Sequence, residues 1–433
     1  MIVRDWADEF VERAPPPAAQ VDMRVADIAM AFFAGCGASE ARSLAKAFRD
    51  DEAAACAAMV RRTECDDINV GACITPGSVV VPTALAAACE NAACDNDLSL
   101  ERFDRAVAAG YAVGLRLARA LGGVAALSGG IWPTCFAAPM MAAATAAVAR
   151  GLDRDGIASA IALAAARAGG RVGRPAGAPS GRWWAFGEAV ASGCRATEAA
   201  AHGFQGDPAL IGRDWLAAIG DPAHIQPDAL KASETHELSA TGFKPFIAAR
   251  QTINAVVAFQ RILAKGVAPE SISRIDIGVP TANAAMVARR ATPGERLSTI
   301  ADMHVQIAAA ALRPALLYSV ERDGEPAADL LAYAERIQIH ADAELDRSMP
   351  EVWGGRVRVQ SGDRALEELC LAVDGDPGHG DATAMLRAKL AHLVPITDRP
   401  LCAAFLEPAN DEARRARLMT LWRAMRARLA DAP

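Results

Sequence analysis

Residues 273–280 read SRIDIGVP, and their alternation fixes what kind of fold the C-terminal half can adopt. Ile275, Ile277 and Val279 fall on one side of an extended chain while Arg274 and Asp276 fall on the other, a period of two that a helix cannot bury on one face. The same or nearly the same alternation returns in ERIQIHA (335–341), GRVRVQ (355–360) and LCLAVDGDP (369–377). Between these stretches lie TINAVVAFQRILAKG (252–266) and ADMHVQIAAAAL (301–312), which carry helical spacing. Short strands alternating with helices specify a small α/β domain over residues 241–385.

On the N-terminal side the texture is helical from residue 22 to about 235. Ala-rich apolar stripes recur, as in DEAAACAAMVRR (51–62), LERFDRAVAAGYAVGLRLARALGG (100–123) and CFAAPMMAAATAAVARG (135–151). Helices so rich in Ala and Gly approach one another closely. Glycines closing ALGG, VARG and AAHG read as C-terminal stops, and Asp153 reads as an N-cap. After the loop GDPGHG (375–380) the tail returns to helix. The expected fold is mostly α: a large all-helical domain built from both termini (1–240 with 386–433) and a smaller α/β domain (241–385). The cleft between them is the expected ligand site.

The chain of 433 residues is 52% hydrophobic with a net charge of −7, and its basic residues are scattered. That argues against a nucleic-acid partner. The N-terminus MIVRDWADEFVERAP has charges where a signal peptide needs an apolar core, and runs such as MMAAATAAVA (140–149) are too short to span a bilayer. A cytoplasmic protein without membrane association is expected. Ten cysteines form no CxxC pair, and seven histidines form no metal-ligand spacing. GxGxxG, GxxxxGK[ST] and GxSxG are missing as well, so no metal and no cofactor is expected.

Several stretches admit either chemistry or a structural role. In RTECDDINVGACITPGS (62–78), Glu64 and Asp67 are candidate proton-transfer carboxylates beside Arg61, a candidate anion-binding group; alternatively the aspartates cap the next segment. Cys73 and Cys135 stand near the starts of Ala-rich helices, where backbone amides lower a thiol pKa; alternatively both are small core residues. Lys244 and Arg250 flank a turn into a helix and suit a carboxylate; alternatively both are ordinary surface charges. Arg182, beside two tryptophans, reaches a pocket or stacks on an indole. His304, in ADMHVQIAAAAL, is expected buried at a helix start.

Taken in order, these stretches resemble the MmgE/PrpD family, whose members include 2-methylcitrate dehydratases, cis-aconitate decarboxylases and an iminodisuccinate epimerase. The resemblance runs from about residue 22 to 425. TECDDINVGACITPGSVVVPTALAAA is similar to the family's DDTH…HPS…PAALA segment, and GGIWPTCFAAPMMAAATAAVARGLD to its GFHPT…GAAAAAARLLGLD. GRWWAFGEAVASGCRATEAAAHGFQGDPALIG resembles the K-x-x-x-x-G-x-AA segment, GFKPFIAARQTINAV the KPYPxxRxTHxAIDA segment, and VDGDPGHGDATAMLRAKLAHL the GDPxNPxTxxELxxKF end. The resemblance implies a helical domain from both termini, a smaller α/β lid and a homodimer.

Carried over residue by residue, the resemblance places the family's first acid on Glu64 and the second aspartate of its pair on Asp67. Its lysine before G-x-AA falls on Arg182, while Lys244 and Arg250 match directly. Its histidines fall on Thr75, Trp132 and Ile253. The anion-binding side is thus kept while three proton-transfer histidines are replaced. Two readings follow. One is a cofactor-independent enzyme that moves a proton at the carbon next to a carboxylate, as an epimerase, isomerase or lyase. Glu64, Asp67, Cys73 and Cys135 would serve as the proton movers; Arg61, Thr75, Trp132, Arg182, Lys244, Arg250 and His304 would line the site. The other is a catalytically inactive member that retains a ligand-binding or structural role.

Overall fold

The computed structural model describes residues 1–95, 98–169, 181–322 and 324–431. Two compact units partition the chain. The first takes the described residues of Met1–Gly173, Ser180–Gly242 and Val394–Pro433, and the second takes those of Phe243–Leu393. The fold is mostly helical, with one four-stranded sheet among the described residues.

The first unit is a stack of closely packed helices, and small residues make the approach possible. The Leu100–Ala120 helix lies against Pro133–Arg150, and a Cβ added to Gly110 would fall 2.2 Å from Thr145 Oγ1. A Cβ on Gly193, in the Gly181–Ala201 helix, would fall 2.2 Å from the Pro139 carbonyl oxygen. The glycine stops behave as their local chemistry requires: Gly151 closes Pro133–Arg150 with φ 73°, a left-handed conformation that costs glycine nothing. Asp153 caps the Arg154–Ala165 helix by accepting the Gly156 N–H. The last helix, Asp411–Ala430, is locked to earlier ones by a buried ion cluster in which Arg414 meets Asp22 at 2.7 Å and Asp104 at 2.6 Å.

The second unit is built on a sheet of order β2-β1-β3-β4. Its strands are β1 (Ile272–Val279), β2 (Ile337–Ala341), β3 (Gly355–Ser361) and β4 (Arg364–Cys370). β1 pairs in parallel with β2 and antiparallel with β3, which in turn pairs antiparallel with β4. Ile275, Ile277, Val357 and Val359 form one core with Val256, Phe259 and Ile262 of the Arg250–Ala264 helix.

Three of the four expected strands match. The fourth differs: LCLAVDGDP contributes only its first two residues to β4, which begins at Arg364 instead. β4 is an edge strand whose residues are exposed or half-buried up to Cys370, so charged side chains stand where an apolar alternation was sought. Among the described residues no helix is long and apolar enough to cross a membrane.

Candidate active site

The Glu52–Thr63 helix is buried from Ala53 to Thr63, and it ends by turning left-handed at Glu64, with φ 57° and ψ 26°. Glycine usually fills that position; a glutamate there accepts a strained backbone that bends the chain back on the last helical turn. The bend returns two carboxylates to one guanidinium. Arg61 Nη2 meets Glu64 Oε2 at 2.5 Å and Arg61 Nη1 meets Asp66 Oδ1 at 2.5 Å, with all three side chains at most 7% exposed. The acidic knot therefore first neutralises a buried arginine.

Asp67 faces elsewhere. Its Oδ1 accepts the N–H of Gly77, the first residue of the Gly77–Asp95 helix, at 2.9 Å, and its Oδ2 accepts from the Tyr111 hydroxyl. Arg24 Nη1 stands 3.6 Å from Oδ2. Burial pushes this carboxyl up to about 6, with Arg24 and Tyr111 pulling against it. Asp67 thus serves as the helix cap that the sequence allowed, across ten residues of chain.

The loop between them is pinned locally. Ile68 and Gly242 exchange both backbone hydrogen bonds at 2.8 Å, and Asn69 Oδ1 accepts the Ala72 N–H at 2.8 Å. Cys73 is buried within this tight turn at φ 53°. Thr75 then leans on the start of a helix distant in sequence: its N–H donates to Thr134 Oγ1 at 3.2 Å, and the two hydroxyls are 3.2 Å apart. Cys135 lies in the first turn of that helix, Pro133–Arg150, for which Trp132 is the N-cap residue.

Trp132 is the centre of the cluster. Phe186 stacks on it with centroids 5.2 Å apart at 27°, and Trp183 meets it edge-on at 6.3 Å. The Arg182 guanidinium carbon lies 3.7 Å from the indole centroid and that of Arg61 5.6 Å from it. Arg182 makes no hydrogen bond or ion pair with any described residue, and its Nε is enclosed without a partner. Burial lowers its pKa to about 10, with Glu64 opposing and Arg61 reinforcing the shift. A guanidinium stays charged near neutrality even so.

The expectation of lowered thiol pKa values is not met at Cys135. Burial pushes this thiol up to about 11, outweighing the pull of Arg182. A helix N-terminus lowers a thiol pKa only when the thiolate's loss of water costs less than the amides return.

In the first unit the structure thus brings together Arg61, Glu64, Trp132, Arg182 and Cys135, with Thr75 joined through Thr134; Asp67 and Cys73 are held in contacts of their own. Asp66 and Thr134 belong to the cluster although only the acidic run hinted at the former. Trp184, by contrast, is 52% exposed.

The second unit holds Lys244, Arg250 and His304, all at most 9% exposed. Arg250 opens the Arg250–Ala264 helix and its Nη2 donates to both oxygens of Asp376, at 2.9 and 2.8 Å. Its charge is therefore already met. Ile253 is wholly buried in the core beside the sheet. His304 lies in the first turn of the Met303–Leu312 helix, behind the capping residue Asp302. Among the described residues no group of three or more His, Cys, Asp or Glu side chains could hold a metal ion.

The described residues thus form a large Ala-rich helical unit and a small mixed sheet, with the Arg182 guanidinium stacked on an indole and in no ion pair with a described residue. Residues 25–221 match the family model for the MmgE/PrpD N-terminal domain, which supports membership of the MmgE/PrpD family. No curated protein matches it. Membership suggests an enzyme of the dehydratase or isomerase type.

Proposed function

We propose that the protein is a cofactor-independent enzyme that moves a proton at the carbon next to a carboxylate of a small acid. The observation that carries this reading is Arg182: a charged guanidinium, stacked on Trp132 and in no ion pair or hydrogen bond with a described residue. Stacking occupies its face and leaves its N–H edge to a ligand, which favours a planar carboxylate held by two parallel hydrogen bonds. The charge then stabilises the enolate that forms when the neighbouring C–H ionises.

Glu64, beside Arg182 and set by a strained turn, is the proposed proton acceptor. Cys135, its thiol pushed up to about 11, is protonated near neutrality and is the proposed donor. Removal from one face and return to the other gives an epimer; expulsion of a leaving group from the enolate gives a lyase. We further propose that the working form is a homodimer.

The test is incubation of the purified chain with small dicarboxylates and hydroxy acids in deuterated water, with the α protons followed by NMR. Exchange with an intact carbon skeleton supports the epimerase or isomerase form, and loss of water or carbon dioxide supports the lyase form. Arg182→Gln is expected to lower kcat/KM by about 100-fold or more, the scale of one lost oxyanion contact. A second reading, a ligand-binding protein without turnover, draws support from Asp67, whose two oxygens are already committed to Gly77 and Tyr111. A ligand that raises Tm while exchanging no proton would favour it.

A further inference from the structure

The first unit holds a second cavity, of about 430 Å³, a size within the range of about 300–1,000 Å³ in which small-molecule sites fall. It lies at the other end of the helices that carry the candidate site. That site takes the end of Glu52–Thr63 and the starts of Gly77–Asp95, Pro133–Arg150 and Gly181–Ala201. The cavity takes the start of the first and later turns of the other three. At about 1.5 Å per residue, Arg150 on its wall stands roughly 25 Å along the helix from Pro133.

Four arginines and five acids line the cavity, so an anion entering it meets carboxylates and a cation meets guanidiniums. Most of these charges are already matched. Arg150 Nη2 stands 3.3 Å from Glu90 Oε2 while its Nη1 meets Glu198, and Arg426 Nε lies 2.6 Å from Glu52 Oε2. Asp51 and Arg195 differ. Asp51 Oδ1 caps the Glu52–Thr63 helix by accepting the Ala54 N–H at 3.1 Å, and its Oδ2 accepts from no described residue. It forms no ion pair with a described residue, and Arg195 has only Glu188, at 3.5 Å. The two are nevertheless neighbours: burial raises the Asp51 pKa, and the Ala54 N–H and the Arg195 charge oppose that rise. Opposite charges thus line one cavity close together without pairing, a gap suited to a molecule that carries both. Ala53, Ala87 and Ala146 on its lining are buried, and the Thr83 hydroxyl already donates to the Val79 carbonyl oxygen at 2.7 Å. That part of the wall suits an aliphatic group.

We propose that this cavity binds a small zwitterion, an α-amino acid with an aliphatic side chain, through Asp51 to its ammonium and Arg195 to its carboxylate. Both contacts are hydrogen bonds between charged groups, the stronger kind, and the guanidinium fork matches a carboxylate. The ligand joins the cap of the Glu52–Thr63 helix to the Gly181–Ala201 helix and so stabilises the folded unit, which makes Tm a readout of binding. The site is independent of the proton-transfer reading.

Thermal melts and isothermal titration of the full chain with L-alanine, L-valine and L-leucine test this. At least one of them is expected to bind and to raise Tm. Its N-acetyl and amide derivatives, each lacking one charge, should bind about 10-fold more weakly or worse, the scale of one hydrogen bond to a charged group. Asp51→Asn keeps the helix cap, since asparagine caps as well as aspartate, so it should weaken binding about 10-fold or more without lowering the Tm of the free protein. Arg195→Gln, at a side chain 60% exposed, should do the same. Arg182→Gln should leave binding unchanged. Binding by none of the three amino acids overturns the proposal, as does a derivative that binds as tightly as its parent. Tighter binding of 1,4-diaminobutane, a cation alone, overturns it too. Binding that Arg182→Gln abolishes and Asp51→Asn spares would move the ligand to the candidate site and overturn it as well. None of these results bears on α-proton exchange, so the two readings stand or fall separately.

Discussion

At Glu64 a single backbone conformation separates a solvated acidic run from a site. A glutamate at φ 57° holds a geometry that glycine adopts more easily, and it does so with its carboxylate against Arg61. Asp67 illustrates the opposite use of burial. Its folded-state pKa, about 6, lies above the ordinary 3.8, so the folded protein holds a proton more tightly than the unfolded chain. The sign follows: stability is greatest while the group is protonated and falls as pH rises from about 4 to about 6, by an amount on the order of 3 kcal/mol. Asp67→Asn removes this titration, so the stability difference between variant and wild type, from urea melts across that range, should shift in favour of the variant as pH rises. A difference independent of pH would refute the assignment. Cys135 gives a simpler check: with its thiol at about 11, alkylation by iodoacetamide should be slow near neutrality and rise steadily with pH.

At the level of elements, the close contact of the Leu100–Ala120 and Pro133–Arg150 helices depends on the missing side chain at Gly110. Gly110→Ala would drive a methyl group into Thr145 and Val80 and should cost about 1–3 kcal/mol, although alanine is the better helix former in isolation. A stabilised variant in thermal melts would show that the helices are free to move apart. The helices, their glycine stops and three of the strands were legible in the sequence because each is set by the spacing of a few neighbouring residues. β4 was not, because an edge strand satisfies only one side of its ladder and buries little, so its pattern carries charge. The cap at Asp67 was ambiguous for a related reason: an acid before a helix looks the same whether it serves the next amide or one ten residues on.

On the scale of the whole molecule, each unit is closed by contacts between residues far apart in the chain. Arg414 reaches Asp22 and Asp104 across more than 300 residues of sequence, and all three are buried. Removing the guanidinium leaves two carboxylates without a counter-ion, so Arg414→Ala should destabilise the first unit by about 3–5 kcal/mol, read as an earlier unfolding transition in urea. Retention of wild-type stability would mean that both acids pick up protons or water at little cost. The sequence by itself determined the mostly helical body, the small α/β unit and the family resemblance, because periodicity and glycine placement act over short stretches and survive in the order of motifs. Only the tertiary structure decided which candidates share a site. Arg61 and Arg182 come to one indole from positions 121 residues apart, Asp67 turns to Tyr111, Arg250 is already matched by Asp376, and His304 meets Asp302. Those outcomes depend on burial and on long-range packing, which set charge states and partners and leave no trace in local spacing.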